Sequence, residues 1–361
     1  MTNGRLSVLF LVPYPLQRAP SQRYRVEQFL PVLDRQGIVY KVEPFFTETE
    51  GEQLYSAGNG GKKIINVLRG FGRRIRLLLN GLNEYDYVFV HREAAPVGPP
   101  IIEWLLRWVL KKKIIYDFDD AIWMPDPSFT SRLFQFIKAQ WKVKWICRWS
   151  HRVVGGNDYL CEYARAFNES ITCIPTVIDM DLPTERLKVH ETRRVVVGWT
   201  GSHSTLRFLD PLVPVLQRLE QELDFDFLVI ADKDPKLPLK HYRFKAWASE
   251  TERIDLLQLD IGVMPLTADV WSEGKCGFKL IQYYSLGIPA LASPVGVNRF
   301  MIRSGETGFL CESESDWEDG LRQLIGSVEL RAKMGQDGHA RMKGRYSLAA
   351  QQEPFLNLFS Q

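Results

Sequence analysis

The sequence predicts an α/β protein made of two doubly wound, Rossmann-like domains. Three observations predict it. Short, near-continuous apolar runs alternate with longer amphipathic stretches, as parallel strands do when helices cover both faces of their sheet. That alternation occurs twice, on either side of a polar stretch without clear period, residues 177–194. The length of 361 residues suits two such domains better than one. The domains are expected at 1–182 and 190–344, with the C-terminal segment 345–361 packing back on the first.

The strands of the first series are LSVLFLV (6–12), YVFVH (87–91), KIIYDF (113–118), HRVVGG (151–156) and ITCIP (171–175). Those of the second are RVVVGWTG (194–201), FDFLVIAD (225–232), IGVMPL (261–266), IPALASP (288–294) and TGFLCE (307–312). Open parallel sheets bind ligands beyond the carboxyl ends of their strands, so a site is expected there, in a central cleft that both domains face.

Composition narrows the function classes. With 45% hydrophobic and 25% charged residues the chain reads as an ordinary globular protein. A formal net charge of +3 is too small to argue for nucleic acid. Cys147, Cys161, Cys173, Cys276 and Cys311 are scattered with no C-x-x-C pair, so neither a zinc site nor a disulfide framework is expected. The apolar run from Leu6 to Pro13 is too short for a signal peptide, and no stretch reaches 18 apolar residues; a cytoplasmic protein is expected.

Two stretches of the second half carry candidate binding residues. In VVVGWTGSHSTLRFLDPLV (195–213) a strand runs through Gly198 and Gly201 to Ser202, and a helix is expected from Ser204 or Thr205. Glycines let a backbone approach a ligand, and a helix start offers N–H groups to a diphosphate; a plain turn with a Ser/Thr cap explains the spacing as well. In DLLQLDIGVMPLTADVWSEGKCGFKLIQYYSLGIPALASPVGV (255–297), Lys275 and Lys279 are four residues apart. Gly277 between them assigns Lys275 to a loop, and Gly287 reads as a helix C-cap. A solvated lysine face is the alternative.

This second segment resembles the donor-site signature of family-4 (group 1) retaining glycosyltransferases with the GT-B fold. Their helix pattern x-K-x-x-E-Y-x-x-x-G-x-P matches at Lys279, Gln282, Tyr283, Gly287 and Pro289. The family's ribose-binding second Glu falls on Gln282, whose amide both donates and accepts. The first Glu of the family's Glu-x7-Glu falls on Gly274, and the acid present is Glu273, one residue earlier. GWTGSHSTLRFL resembles the opening of the donor domain; the family's Arg and Lys after that loop are absent, and Arg207, Lys275 and Lys279 stand as substitutes. Residues 155–179, with Asn157, Pro175, Thr176 and Asp179, resemble the close of the acceptor domain, GETGFL (305–310) the turn after the donor helix, and 345–359 the helix that crosses back. The match is strongest from 195 to 311 and loose over 14–86.

The resemblance implies transfer of a sugar from a nucleotide diphosphate, UDP or GDP, with retention of configuration, without a metal or another cofactor. It implies a diphosphate held by Gly201, Ser202, Lys275 and Lys279, with Gln282 on the ribose. Trp247 and Glu250, in FKAWASETE, are placed near the base or ribose by position.

The first half adds two constellations. Arg18, Ser21, Arg23 and Arg25 follow the first strand, where arginines would hold a phosphate of donor or acceptor; an exposed loop is the alternative. KKIIYDFDDAIWMP ends a strand with Asp117, Asp119 and Asp120, read as facing the acceptor, Asp119 and Asp120 as catalytic candidates, one Asp capping the next turn. His91, at the end of YVFVH, is a further catalytic candidate against the alternative of a structural histidine. Membrane contact is suggested by KAQWKVKWICRWSHR (138–152), with five basic residues, no acid, and Trp141, Trp145 and Trp149 on one helical stripe. GKKIINVLRGFGRRIRLLLNGLN (61–83) has six basic residues, no acid, and apolar positions 64, 68, 71, 75 and 79 at helical spacing. Both fit a basic helix lying on anionic lipid, unless the Trp stripe packs on the first sheet.

The expected function is therefore a glycosyltransferase acting on a lipid-linked or cell-surface glycan precursor at the inner face of a membrane. The rivals are an epimerase or hydrolase of sugar nucleotides, and a non-catalytic nucleotide-sugar-binding protein.

Overall fold

The computed structural model describes residues 5–55, 60–124, 136–181, 187–191 and 193–360. The chain divides into two compact units, Met1–Val177 with Gln351–Gln361, and Ile178–Ala350.

The first unit holds six strands: β1 (Ser7–Val12), β2 (Val39–Pro44), β3 (Tyr87–His91), β4 (Lys113–Phe118), β5 (Arg152–Gly155) and β6 (Ile171–Cys173). They pair in the order β2-β1-β3-β4-β5-β6, all parallel. Every residue of β1 and β3 is buried, as their unbroken apolar runs require. The strand β2 is absent from the sequence expectation. Its segment VYKVEP puts Lys41 and Glu43 among its apolar residues because it lies at the sheet edge, where charge blocks further pairing. Near the C-terminus Phe355 stacks on Phe29 at 4.0 Å, and Phe359 meets Tyr87 edge-on at 5.8 Å.

The second unit repeats the plan with β7 (Val195–Gly201), β8 (Phe225–Ala231), β9 (Tyr242–Ala246), β10 (Ile261–Met264), β11 (Ala290–Ala292) and β12 (Gly308–Leu310). Their order is β12-β11-β10-β7-β8-β9, again all parallel. Here too the edge strand β9, YRFKA, escapes the sequence reading because it is mostly exposed. One face is covered around Trp199, Leu216 and Leu321, the other around Leu280, Ile281, Tyr283 and Tyr284.

Strand order reverses between β1 and β3 in the first unit and between β7 and β10 in the second. Such switch points open a crevice at the strands' carboxyl ends. In the second unit Tyr283 ties the switch together. Its hydroxyl accepts from the Thr200 amide at 3.2 Å and donates to the Val263 carbonyl at 3.3 Å.

Two local expectations need correction. The helix expected from Ser204 or Thr205 begins at His203 and winds as a 3-10 helix to Leu212, with an α-helix only over Val213–Leu219. Pro211 and Pro214 cannot donate the bonds an α-helix needs there. The polar stretch read as a linker is held to the second unit over 187–191. Lys188 pairs with buried Asp260 at 3.0 Å and donates to the Leu257 carbonyl at 2.7 Å, and His190 bonds the Gly287 carbonyl at 3.1 Å. Residues 182–186 and 192 of that stretch lie outside the described residues.

Candidate functional site

The second unit gathers its candidates beyond β7 and β10. The helix Phe278–Ser285 starts after Gly277, whose φ of 67° and crowding by Met301 allow only glycine without strain. It ends at Gly287, φ 70°, with Ile288 N–H on the Tyr283 carbonyl (3.0 Å) and Gly287 N–H on that of Tyr284 (3.1 Å), the expected C-cap. Lys275 lies in the preceding loop and Lys279 in the first turn.

Three cations lie against aromatic rings here. The Lys275 ammonium sits 3.4 Å from the Trp271 ring centre, and that of Lys279 5.1 Å from Trp199. The Arg207 guanidinium lies 5.4 Å from Trp271 and 5.2 Å from Phe208, whose ring stacks with Trp271. Among the described residues neither Arg207 nor Lys279 has a carboxylate partner. Burial, and then the charge of Lys275, pull the Lys279 ammonium down to about 8.

The glycine loop divides by role. Gly198 is inside β7, and a Cβ there would meet Leu259 at 2.1 Å, so packing alone demands glycine. Gly201 ends the strand, and a Cβ would strike the Trp199 ring at 2.3 Å. Ser202 is exposed and bonds Ser204 at 2.9 Å. Gln282 is buried and donates to Glu252 at 3.2 Å; the Trp247 indole donates to the same oxygen at 2.9 Å. Glu252 was missed in the sequence. Of the two acids in SETE, Glu250 is exposed and bonded to Ser249, while Glu252 turns inward. Glu273 is engaged by Arg299 through both guanidinium nitrogens and by the Gly296 amide, each at 3.0 Å, which fixes the loop after β11.

The first unit brings four candidates into one buried network at its own switch point. The register sets His91 beside Asp117. His91 Nδ1 lies 2.7 Å from Asp117 Oδ2 and its Nε2 3.0 Å from Ser21 Oγ. Since the carboxylate can only accept, Nδ1 carries the proton toward it, and in the neutral ring this leaves Nε2 to accept from the serine. Arg25 binds Asp117 through Nε at 3.0 Å and through Nη2, and donates to the Ile174 carbonyl at 2.8 Å. Burial opposes ionisation of Asp117, but Arg25 and the His91 hydrogen bond outweigh it and hold the carboxyl below its usual range.

Asp119 and Asp120 turn to Arg92. The guanidinium bonds Asp119 at 2.8 Å and lies 3.9 Å from Asp120. Burial disfavours charge on Asp119, and the Arg92 charge overrides it, keeping the carboxyl well below the ordinary value. Asp120 accepts from the amide of its neighbour Ala121 at 3.0 Å. Arg18 pairs with exposed Glu52, and Arg23 lies over the Tyr24 ring. Among the described residues no cluster of three His, Cys, Asp or Glu is arranged for a metal ion.

Residues 194–327 match the model of a family described as glycosyl transferases group 1. The chain is similar to the solved sucrose-phosphate synthase of Thermosynechococcus elongatus, at 13% identity, 98% of each chain covered and a TM-score of 0.71. It is similar to HepE of Anabaena in complex with UDP and glucose, at 13% identity over 99% of this chain and 100% of that one, TM-score 0.67. The lipopolysaccharide outer core galactosyltransferase WaaB, apo form, is similar at 12% identity, 98% of each chain and a TM-score of 0.61. At these identities the likeness shows the fold: two parallel six-stranded α/β units, as in GT-B glycosyltransferases. A search of curated proteins finds no match.

Proposed function

We propose that the chain is a retaining, metal-independent glycosyltransferase, which moves a hexose from a nucleotide diphosphate to an acceptor hydroxyl. One observation carries the reading. Arg207, Lys275 and Lys279 converge at the β7/β10 switch point, inside the stretch that matches the group 1 model, and among the described residues Arg207 and Lys279 have no carboxylate partner. Preorganised cations there would offset the charge that grows on a leaving diphosphate. The Gly201–Ser202 turn would supply backbone N–H groups, Glu252 with Gln282 the ribose contacts, and Trp247 a face for the base. Glu273, held by Arg299, would position the loop beside the donor sugar. The complexes of HepE with UDP and glucose and with UDP-glucose support a UDP-sugar as the first donor to try.

In the first unit, His91 Nε2 and Ser21 Oγ would receive the acceptor hydroxyl and its proton, with Asp117 and Arg25 holding the imidazole in its tautomer. WaaB, which is similar to this chain, is described as a lipopolysaccharide outer core galactosyltransferase; a lipid-linked or cell-surface glycan precursor, met at the inner face of a membrane, is the acceptor class we favour.

The direct test uses a thermal-shift panel of UDP, GDP, ADP and dTDP, then turnover with and without membrane extract. UDP or GDP at about 100 times its Kd is expected to stabilise the protein by about 2.7 kcal/mol. Nucleotide release that requires extract supports transfer. Release without extract indicates hydrolysis, an isomerised sugar nucleotide without release indicates epimerisation, and binding with neither under any donor overturns the enzyme reading.

A pH profile tests the lysine wall. Free Lys279 loses its proton as pH rises through about 8, after which an anionic diphosphate must bind together with a proton. UDP affinity should therefore be flat below pH 8 and fall by up to tenfold per pH unit above it. Titration calorimetry at pH 7, 8.5 and 9.5 should show this slope in the wild type and not in Lys279→Met. The same depressed pKa means that ligand-free stability rises with pH above about 8, because the unfolded chain binds more protons there.

A further inference from the structure

We propose that the first unit docks on an anionic bilayer through the outer face of the helix Gly60–Asn80 and the tryptophan-bearing segments beside it. The inference stands on this surface and not on the proposed activity.

The helix Gly60–Asn80 is amphipathic but turned over. A surface helix ordinarily faces its apolar stripe to the core. Here the inward positions are Asn66, Gly70 and Arg74. Gly70 lets the Phe45 ring lie where a Cβ would be, at 2.3 Å. Arg74 is 1% exposed and bonds the carbonyls of Ala94 (2.9 Å) and Val12 (3.0 Å). Of the apolar stripe Phe71 turns in to meet Phe45 edge-on at 5.5 Å, and the rest points to solvent: Ile64, Leu68, Ile75 and Leu79 are 64%, 63%, 54% and 77% exposed. The helix carries six Lys and Arg and no acid. An apolar stripe that a fold leaves outside marks a binding surface.

A second patch joins it. Trp104 and Trp108, in Ile101–Trp104 and its continuation Leu105–Val109, are exposed, as are Trp141 and Trp145. The helix Lys142–Trp149 packs inward through Val143, Ile146 and Cys147, so its tryptophan stripe does not lie on the sheet. Of the basic residues expected on its outer face, Lys142 instead turns inward to Glu93 at 2.7 Å. Arg107 lies 5.4 Å from the Trp108 ring; Lys144 and Arg148 lie 5.6 and 5.9 Å from Trp145. Indole rings beside cations are the pairing that suits the headgroup layer of an anionic membrane.

The two patches flank one loop, residues 94–98. Arg74 bonds Ala94 from one side, and from the other Lys142 bonds Ala95 at 2.8 Å and the Ile137 carbonyl receives the Gly98 amide at 2.7 Å. Charge decides the occupant. Arg73 is paired with Glu50 and Lys142 with Glu93, but the exposed ionic groups of these segments, Lys62, Arg69, Arg76, Arg107, Lys144 and Arg148, are all cations, so two copies of the chain would repel face to face. Aliphatic stripes have no use against a nucleic-acid backbone. A lipid surface offers negative charge and hydrocarbon together.

The test is flotation of the full chain with vesicles of phosphatidylcholine alone or mixed with phosphatidylglycerol. We expect binding to the mixed vesicles, weakened at least tenfold by 0.5 M salt, and little binding to phosphatidylcholine. Trp104→Ser/Trp108→Ser and Leu68→Ser/Leu79→Ser should each weaken binding at least tenfold. Equal binding to both vesicle types, no binding to either, or variants that bind like the wild type would overturn the proposal. So would sedimentation showing that these residues hold a dimer. The UDP thermal shift of each preparation reports folding and the donor site separately. Lost flotation with an intact shift is thus a result about the surface, and intact flotation without a shift is a failure of the donor reading alone.

Discussion

Lys279→Ala is expected to lower kcat/KM by about 100-fold or more, with a smaller loss of UDP affinity, while the fold survives. The magnitude follows from what this ammonium meets. It is half-buried beside Trp199, has no carboxylate partner among the described residues, and sits near a second cation. Such a charge is unfavourable in the free protein, and a diphosphate relieves the cost; relief grows as the leaving group takes on charge, so turnover suffers more than binding. Removing a poorly solvated charge also predicts a variant no less stable than the wild type. Thermal melts and steady-state kinetics check both halves. Unchanged kinetics would make Lys279 an ordinary surface charge.

Arg25→Ala is expected to destabilise the first unit by about 3–5 kcal/mol, because it leaves the buried Asp117 carboxylate without its guanidinium. At about 2–4 °C per kcal/mol for a domain of this size, the melting midpoint should fall by roughly 6–20 °C. Asp117 has a lowered folded-state pKa, so its share of stability is present above the unfolded Asp value and is lost as pH falls through the folded one. The variant should lack that acid-side loss. Arg25→Met/Asp117→Leu, which removes both charges and fills the space, should recover much of the midpoint. A double variant as unstable as the single one would show that the site needs polarity and not only pairing.

The strands buried on both faces were legible because β1, β3, β4, β7, β8 and β10 have no polar interruption beyond a few functional positions. The edge strands β2 and β9 were not, since one-sided burial lets Lys41, Glu43, Arg243 and Lys245 into the run. Lys275 and Lys279 could be found from their glycine-framed setting. The partnership of Glu252 with Gln282 could not, because 30 residues separate them on different elements. It explains the amide, however. A carboxylate at 282 would face Glu252 at hydrogen-bonding distance, and one of the two would have to keep a proton. Arg25 and Asp117, 92 residues apart, were both singled out, but as ligand contacts; only the folded chain shows them answering each other.

His91 and Asp117 meet because β3 and β4 pair residue for residue. Successive side chains of a strand belong to opposite faces, so each position has a parity as well as an identity. Deleting one residue from Lys113–Phe118 ahead of Asp117 would let the ladder re-form and still carry every functional residue in the right order. The carboxylate would nonetheless point to the other side of the sheet, away from Arg25 and His91. What the first unit can do thus depends on whether a count is odd or even, and substitutions alone would never reveal it.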